Sequence, residues 1–280
     1  VKIAWATDIH LDFLQREGGR ALVQFAFAEP LASANVDAVI ISGDISLSDM
    51  LEDHLRIIDE TVKCPVYFVL GNHDFYGGDF ESVRSMVDRV CSKSKNLRYL
   101  TSEENEIQIS PGFSIVGHDG WYDAYYGRPF SAGLVMSDWL QIKDFSAHLH
   151  PIAGGSTIDP HGIVGVAREA SFNAAEAVLE RARKAALNSK RVVIVTHVPP
   201  FPEVHAQGGK GNNDASIPWY TSKFMGEAIT RVAEENPGVG FTVLCGHTHY
   251  KAKFLNGKNI ECFVGGSEYG EPRYEIIKTS

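Results

Sequence analysis

Cysteine is scarce in this chain. Its four cysteines, Cys64, Cys91, Cys245 and Cys262, form no C-x-x-C pair and fall far short of the density of a disulfide-stapled domain. Cys64, Cys245 and Cys262 lie in or beside apolar runs, which reads as buried free thiols and suits a reducing, cytoplasmic compartment. Positive charge is in deficit too. Lys and Arg number 26 against 35 Asp and Glu, a formal net charge of −9. That balance disfavours long nucleic acids and anionic membrane surfaces, which need a basic face. Long hydrophobic runs are absent, so no membrane insertion is expected. The opening "VKIAWATDIH" has no extended apolar stretch ending in a small-residue cleavage site. No serine stands in a nucleophile elbow, and there is no internal repeat, low-complexity tract or linker.

What is present alternates. Short runs rich in β-branched or aromatic residues occupy positions 1–6, 38–41, 66–70, 192–195 and 241–244. Their near-continuous apolarity implies strands buried on both faces. Helical spacing fills several gaps. In 48–62, Leu51, Leu55, Ile58 and Val62 share one face, and 168–187 and 221–235 are rich in helix formers. This order predicts an α/β fold with parallel pairings. Residues 106–109 and 113–116 around Pro111-Gly112, and 254–264 around Asn256-Gly257, read as hairpins, and 275–277 as a last strand. Some antiparallel pairing, or a second sheet, follows. The chain is expected to form one domain over 1–280, with an irregular insertion or cap at about 121–163.

Each of the five runs ends in polar residues able to hold a metal. The first leads into "TDIH" with Asp8 and His10, the second into "GDIS" with Asp44, and the third into "GNHD" with Asn72, His73 and Asp74. The fourth leads into "THVPP" with His197, and the fifth into "GHTH" with His247 and His249. Ligands of open α/β sheets bind at the carboxyl ends of strands, so five such ends imply one converging site. Carboxylate, imidazole and amide oxygen without thiolate suit Mn, Fe or Zn. Six or more such groups exceed the needs of one tetrahedral ion that keeps an open position, and two ions fit better. A metal pair usually shares a carboxylate, and Asp44 is the natural candidate. Gly43, Gly71 and Gly246 each precede a ligand, where a missing Cβ lets the chain leave the strand sharply.

Asp8-x-His10, Gly43-Asp44, Gly71-Asn72-His73-Asp74, His197 and Gly246-His247-x-His249, in this order, resemble the calcineurin-like metallophosphoesterase superfamily. The motifs span residues 8 to 249. The resemblance implies a four-layer α-β-β-α sandwich of two mixed sheets flanked by helices. It also implies a first metal on Asp8, His10 and His249, a second on Asn72, His197 and His247, and Asp44 and the attacking hydroxide bridging them. His73 would face the substrate, stabilising phosphoryl oxygens or protonating the leaving group, with Asp74 orienting its imidazole. "GDISLSD" lacks the Arg, and Asp74 replaces the Glu, of the superfamily's protein Ser/Thr phosphatases. The metal-binding Tyr of purple acid phosphatases is also missing near Leu47. The set is most similar to the bacterial phosphodiesterase-like branch.

The expected activity is therefore metal-dependent hydrolysis of a small phosphodiester or phosphomonoester. The alternatives are a phosphatase or pyrophosphatase acting on a nucleotide or lipid precursor, and a catalytically silent metal-binding scaffold. Other polar residues are weaker candidates. His118 and Asp119 could line the pocket or simply form a turn. His148 and His150 read as residues of a solvated loop or of the cap, and His54 and His161 as incidental. His205 leads into the Gly-rich 207–214 segment, where Lys210 could close over a phosphate. Trp121, Tyr122, Tyr125 and Tyr126 could stack on a ring of the substrate, or pack as core.

Overall fold

Strands with two apolar faces need cover on both sides, and this chain supplies it with two sheets and two sets of helices. The computed structural model describes residues 1–130, 134–152, 155–206, 216–257 and 259–278. In chain order the strands are β1 (Lys2–Ala6), β2 (Ala38–Ser42), β3 (Val66–Val69), β4 (Leu97–Tyr99), β5 (Ile107–Ser110), β6 (Phe113–Gly117), β7 (Leu149–Ile152), β8 (Gly155–Ile158), β9 (Arg191–Val195), β10 (Gly240–Cys245), β11 (Ala252–Asn256), β12 (Ile260–Val264) and β13 (Glu275–Lys278). One sheet runs β13-β1-β2-β3-β4 and the other β11-β12-β10-β9-β6-β5. The interior pairings are parallel, and β13, β11 and β5 close the edges antiparallel. Both expected hairpins form, and 275–277 is indeed a strand, paired with β1.

Side-chain alternation sorts the core into three layers. Ile3, Trp5, Ala38, Ile40, Tyr67 and Val69 of the first sheet meet Ile115, Val193, Val195 and Leu244 of the second. Ala4, Ala6, Val39, Ile41, Val66 and Phe68 face the other way, against helices Leu11–Val23, Ser48–Thr61 and Phe80–Cys91. Val192, Ile194, Phe241 and Val243 turn outward onto helices Pro160–Asn188 and Lys223–Glu235. The result is the expected four-layer α-β-β-α sandwich.

Two expectations need adjustment. The helix placed at 168–187 starts at Pro160, where the ring suits a first helical position and Asp159 accepts from the His161 amide at 3.0 Å. Cys64 is half-buried, whereas Cys245 and Cys262 are buried, and all are free thiols. Within 121–163, Trp121, Tyr122, Trp139 and Phe145 are fully packed into the first core. Helices Ser137–Gln141 and Lys143–Ser146 and the β7–β8 hairpin make up much of the rest. Among the described residues, no helix is long and apolar enough to cross a membrane.

The ends of β1, β2, β9 and β10 are tied across the two sheets. The His247 amide donates to the Asp8 carboxylate at 2.9 Å, and His197 Nδ1 lies 2.9 Å from the Ser42 carbonyl, while within the first sheet the Trp5 indole donates to Ser42 Oγ at 2.9 Å. Register between the sheets therefore fixes where the polar loops meet. Ile40, 0% exposed between the sheets, reports on this packing. Ile40→Ala should lower the unfolding free energy by about 2–5 kcal/mol in urea titration. A loss below about 1 kcal/mol would show that the intersheet layer is not closely packed.

Candidate metal centre

Five of the seven expected ligands sit in a backbone conformation that costs energy. Asp8, His10, Asp44, His247 and His249 have φ of 48°, 41°, 52°, 70° and 62°. Asp and His tolerate this left-handed region better than most residues, but each instance still costs on the order of 1–3 kcal/mol. Bonds between the loops hold it. The Asp8 amide donates to the Gly43 carbonyl at 3.0 Å, His10 to Asp44 at 3.0 Å, and Leu11 to Ile45 at 2.9 Å. The Gly246 amide donates to the His197 carbonyl at 2.9 Å, and Ser267 to His249 at 3.0 Å.

The glycines act partly as expected. Gly43 has φ +96° and also leaves room for the His197 ring, whose Nδ1 would lie 2.5 Å from an added Cβ. Gly71 is there for space rather than for the turn: a Cβ would overlap the Asp44 carboxylate.

The loops bring all seven expected ligands to one place. Atoms of Asp8, His10, Asp44 and His249 lie within 4.8 Å of one another and form a metal-binding cluster. His10 Nε2 is 3.2 Å from His249 Nε2 and 3.7 Å from Asp44 Oδ2, and His249 Nε2 is 3.4 Å from Asp8 Oδ1. The other oxygen of Asp44 faces a second group of donors: Asp44 Oδ1 is 3.4 Å from His197 Nε2. Asn72 Oδ1 is 3.1 Å from His197 Nε2 and 3.0 Å from His247 Nδ1. Asp44 thus stands between the two sets.

The Asp8, His10, Asp44 and His249 cluster can hold a cation, and the donors around Asn72 are of a kind that suits one. His197 Nδ1 and His247 Nε2 face the carbonyls of Ser42 and Trp219, at 2.9 and 3.0 Å, so these nitrogens carry the ring protons. The inward nitrogen of a neutral ring is then a bare lone pair pointing at an amide oxygen, an arrangement that repels until a cation or a proton comes between. The titration behaviour agrees. Burial holds His10 and His247 down at about 3, so both are neutral. Burial also lowers His197, but Asp44 and Asp8 outweigh it and hold it up at about 10. Burial opposes ionisation of Asp44, yet the His197 and His73 charges keep it well below the usual carboxylate range. In the metal-free protein, a proton on His197 takes a cation's place.

His73 is half-buried at the edge of this cluster. Its ring stacks on Tyr76 with centroids 4.4 Å apart and meets His10 edge-on at 4.6 Å, while its amide donates to Asp44 Oδ1 at 2.9 Å. The role expected of Asp74 is corrected. Its fully buried carboxylate accepts from the amides of Ile45 (2.9 Å), Ser46 (2.7 Å) and Gly71 (2.8 Å). It ties the Asp44 loop to the Asn72 loop instead of steadying the His73 imidazole.

Above the cluster opens a cavity of about 580 Å³, within the range of small-molecule sites. Asp44, Asn72, His73, His247 and His249 line it together with Tyr76, Tyr220, Tyr250, Tyr269 and the 134–138 segment. No Lys or Arg is among its described lining residues. His205 belongs here too, its Nε2 3.2 Å from Ser216 Oγ. Asp119 does not: it is buried in a network with Arg84, Tyr99, Thr101 and the Leu70 amide, and His118 lies beside Arg84 in a separate cavity. His54 is buried 2.7 Å from Ser46 Oγ, His161 is exposed at a helix start, and His148 and His150 are on the β7–β8 side of the chain. Trp121 and Tyr122 are core, and Tyr125 lies under the Arg168 guanidinium at 4.0 Å. The 207–214 segment with Lys210 lies outside the described residues.

Tyr76, Asp138, Tyr220, Tyr250 and Tyr269 were not foreseen at the site. Tyr76 and Tyr250 adjoin "GNHD" and "GHTH" and were within reach of a motif reading. Asp138, Tyr220 and Tyr269 carry no local signal.

A sandwich of two mixed sheets with buried Asp and His ligands at its strand ends defines a metal-dependent hydrolase of the phosphoesterase type. The calcineurin-like phosphoesterase family model matches residues 1–251, and the chain belongs to that family. Among solved structures, phosphopantetheinyl hydrolase from Mycobacterium tuberculosis is similar in fold, with a TM-score of 0.63 at 13% identity over 98% of this chain and 95% of that one. A dimetal phosphatase from Danio rerio gives 0.56 at 16% identity over 95% and 87%. No curated protein sequence matches the chain.

A cation entering between Asp44 and His197 must displace the His197 proton. Below about pH 10, therefore, metal uptake should release protons, and affinity should rise with pH by up to roughly tenfold per unit for each proton released. Calorimetric titration with Mn²⁺ at pH 7, in buffers of different ionisation enthalpy, measures this directly. Heats independent of the buffer would overturn the assignment of a proton to His197.

Proposed function

We propose that this chain hydrolyses a phosphoester of a small molecule, a diester in the first instance, with two metal ions. The arrangement of two donor sets on either side of Asp44, at the floor of one cavity, carries this reading. Asp8, His10 and His249 would hold one ion, Asn72, His197 and His247 the other, and Asp44 both. Mn, Fe and Zn all suit these ligands. When bound, such a pair supplies Lewis acidity toward phosphoryl oxygens and lowers the pKa of an attacking water.

The chain's own side chains do the rest. Among the described lining residues there is no Lys or Arg, so in this reading the ions carry much of the charge neutralisation of a bound phosphate. His73 is the titratable group best placed to face the ester, held on its ligand-bearing loop by the stack on Tyr76. We assign it the hydrogen bond to phosphoryl oxygen and the proton for the departing alkoxide. Tyr220, Tyr250, Tyr269 and the apolar Leu134, Val135 and Met136 offer walls for an organic group, not for a string of charges. The absence of Arg after Asp44, and Asp74 after His73, favour a member of the bacterial phosphodiesterase-like branch.

Loaded with Mn²⁺, the protein should turn over bis-p-nitrophenyl phosphate faster than p-nitrophenyl phosphate. The reverse order would favour a phosphatase, and no turnover of either, or of a wider phosphoester panel, would favour a metal-binding scaffold. Asp44→Asn should abolish activity together with uptake of both ions, and a fully active variant would remove Asp44 from its bridging place. His73→Ala should keep the metal content and lose about 10²–10⁴ in kcat. Loss of metal instead would make His73 a ligand.

A further inference from the structure

Asn72 is the one amide in the expected ligand set, and its usefulness depends on which way that amide faces. Turned one way it offers oxygen to the cavity floor; rotated by half a turn it offers an amino group, which holds no cation. The cavity floor alone does not decide the orientation. Asn72 Oδ1 lies 3.1 Å from His197 Nε2 and 3.0 Å from His247 Nδ1, and a lone pair on the latter nitrogen would attract the amino group instead. A contact outside the ligand set can hold the amide in its present orientation.

Asp138 does this. Its carboxylate is 0% exposed, and Oδ1 accepts from Asn72 Nδ2 at 2.8 Å and from the Tyr76 hydroxyl at 2.7 Å. The same hydroxyl accepts from Asn72 Nδ2 at 3.1 Å. Asp138 Oδ1 is the acceptor in both bonds, so the group facing it is the amino group, and the oxygen is left for the floor. The contact spans 66 residues and is anchored on both sides. The Gly77 amide donates to the Gln141 carbonyl at 2.8 Å, Lys143 to Gly78 at 2.9 Å, and Phe80 to the Asp144 carboxylate at 2.9 Å. The segment around Asp138 therefore grips the whole loop that delivers Asn72 and His73. Asp138 also lines the cavity, so one side chain belongs both to the metal floor and to the wall above it.

We propose that Asp138 is a positioning residue of the metal centre: it locks the Asn72 amide oxygen-inward and thereby sets the affinity of the ion that Asn72 ligates. The proposal rests on the two-ion reading above. It makes the segment that walls the cavity part of the metal site, so changes in that segment reach the chemistry through Asn72.

The test uses Mn²⁺ calorimetry on the full chain, together with ¹⁵N NMR of the Asn72 side-chain amide in the metal-free protein. Asp138→Ala should weaken one ion by about 10–100-fold and leave the other at parental affinity. Asp138→Asn, which keeps an oxygen acceptor, should recover most of the loss. If the alanine variant does not fold, Asp138→Leu fills the volume without an acceptor and should show the same selective weakening. In the metal-free parent the Asn72 amino protons should be protected from exchange with water, and in Asp138→Ala they should not. A variant lacking the acceptor that still binds both ions at parental affinity, or keeps the Asn72 amino protons protected, would overturn the proposal. A parent that takes up only one ion would overturn the two-ion reading instead, and the Asn72 amino protons would still decide the case of Asp138.

Discussion

Groups that turn lone pairs toward one another do not gather in a dry place unless something positive belongs there. Asp8, His10, Asp44, Asn72, His197 and His247 are all at or near full burial, and their inward atoms approach within 3.0–3.7 Å. Uncompensated charge in such a setting costs several kcal/mol per ion. Much of the surrounding structure serves to hold this unfavourable meeting together. The left-handed residues Asp8, His10, Asp44, His247 and His249 are braced by amide bonds between loops, and Gly71 leaves room where any side chain would strike Asp44. Buried carboxylates outside the ligand set hold backbone and side-chain amides near it: Asp74 those of Ile45, Ser46 and Gly71, Asp119 that of Leu70, and Asp138 the side chain of Asn72.

This support also fixes protonation. Backbone carbonyls bind the outer nitrogens of His197 and His247, which selects a tautomer and aims the opposite lone pair inward. His10 and His247 stay neutral because burial removes the water that would solvate their cations. His197 differs because the charges of Asp44 and Asp8 outweigh the effect of burial. Of three imidazoles in one cluster, two are thus neutral and one keeps a proton, and that proton marks where a cation would enter. Folding and metal binding are thermodynamically linked in such a site, since the cation relieves repulsion that the fold by itself must carry.

Much of this was legible in the chain. A carboxylate, an amide or an imidazole directly after an apolar strand is visible as a break in hydrophobic pattern, and five such breaks in one chain point to one site. The two-sheet sandwich was legible from its resemblance and from the hairpin signals at Pro111-Gly112 and Asn256-Gly257. Two kinds of information were not visible. Asp74 stands next to His73 in sequence, and adjacency suggested a pair, but a tight helical turn directs the two side chains apart and gives the carboxylate to the neighbouring loop. Asp138 and Tyr269 lie in stretches without periodicity or motif, and only packing brings them to the cavity.

The sequence by itself determined the candidate ligands and the strands that deliver them, because hydrophobic alternation and strand-end polarity are properties of neighbouring residues. It therefore determined the class of chemistry as well. Tertiary structure decided which atom of each ligand faces inward, which imidazole keeps a proton, and which buried carboxylates hold the loops. Those outcomes depend on hydrogen bonds such as His247 to Asp8, His197 to Ser42 and Asn72 to Asp138, made between segments far apart in the chain. Long-range contacts of that kind leave no mark in local pattern, because any of several polar residues could supply each partner and only the packed fold selects the one that does.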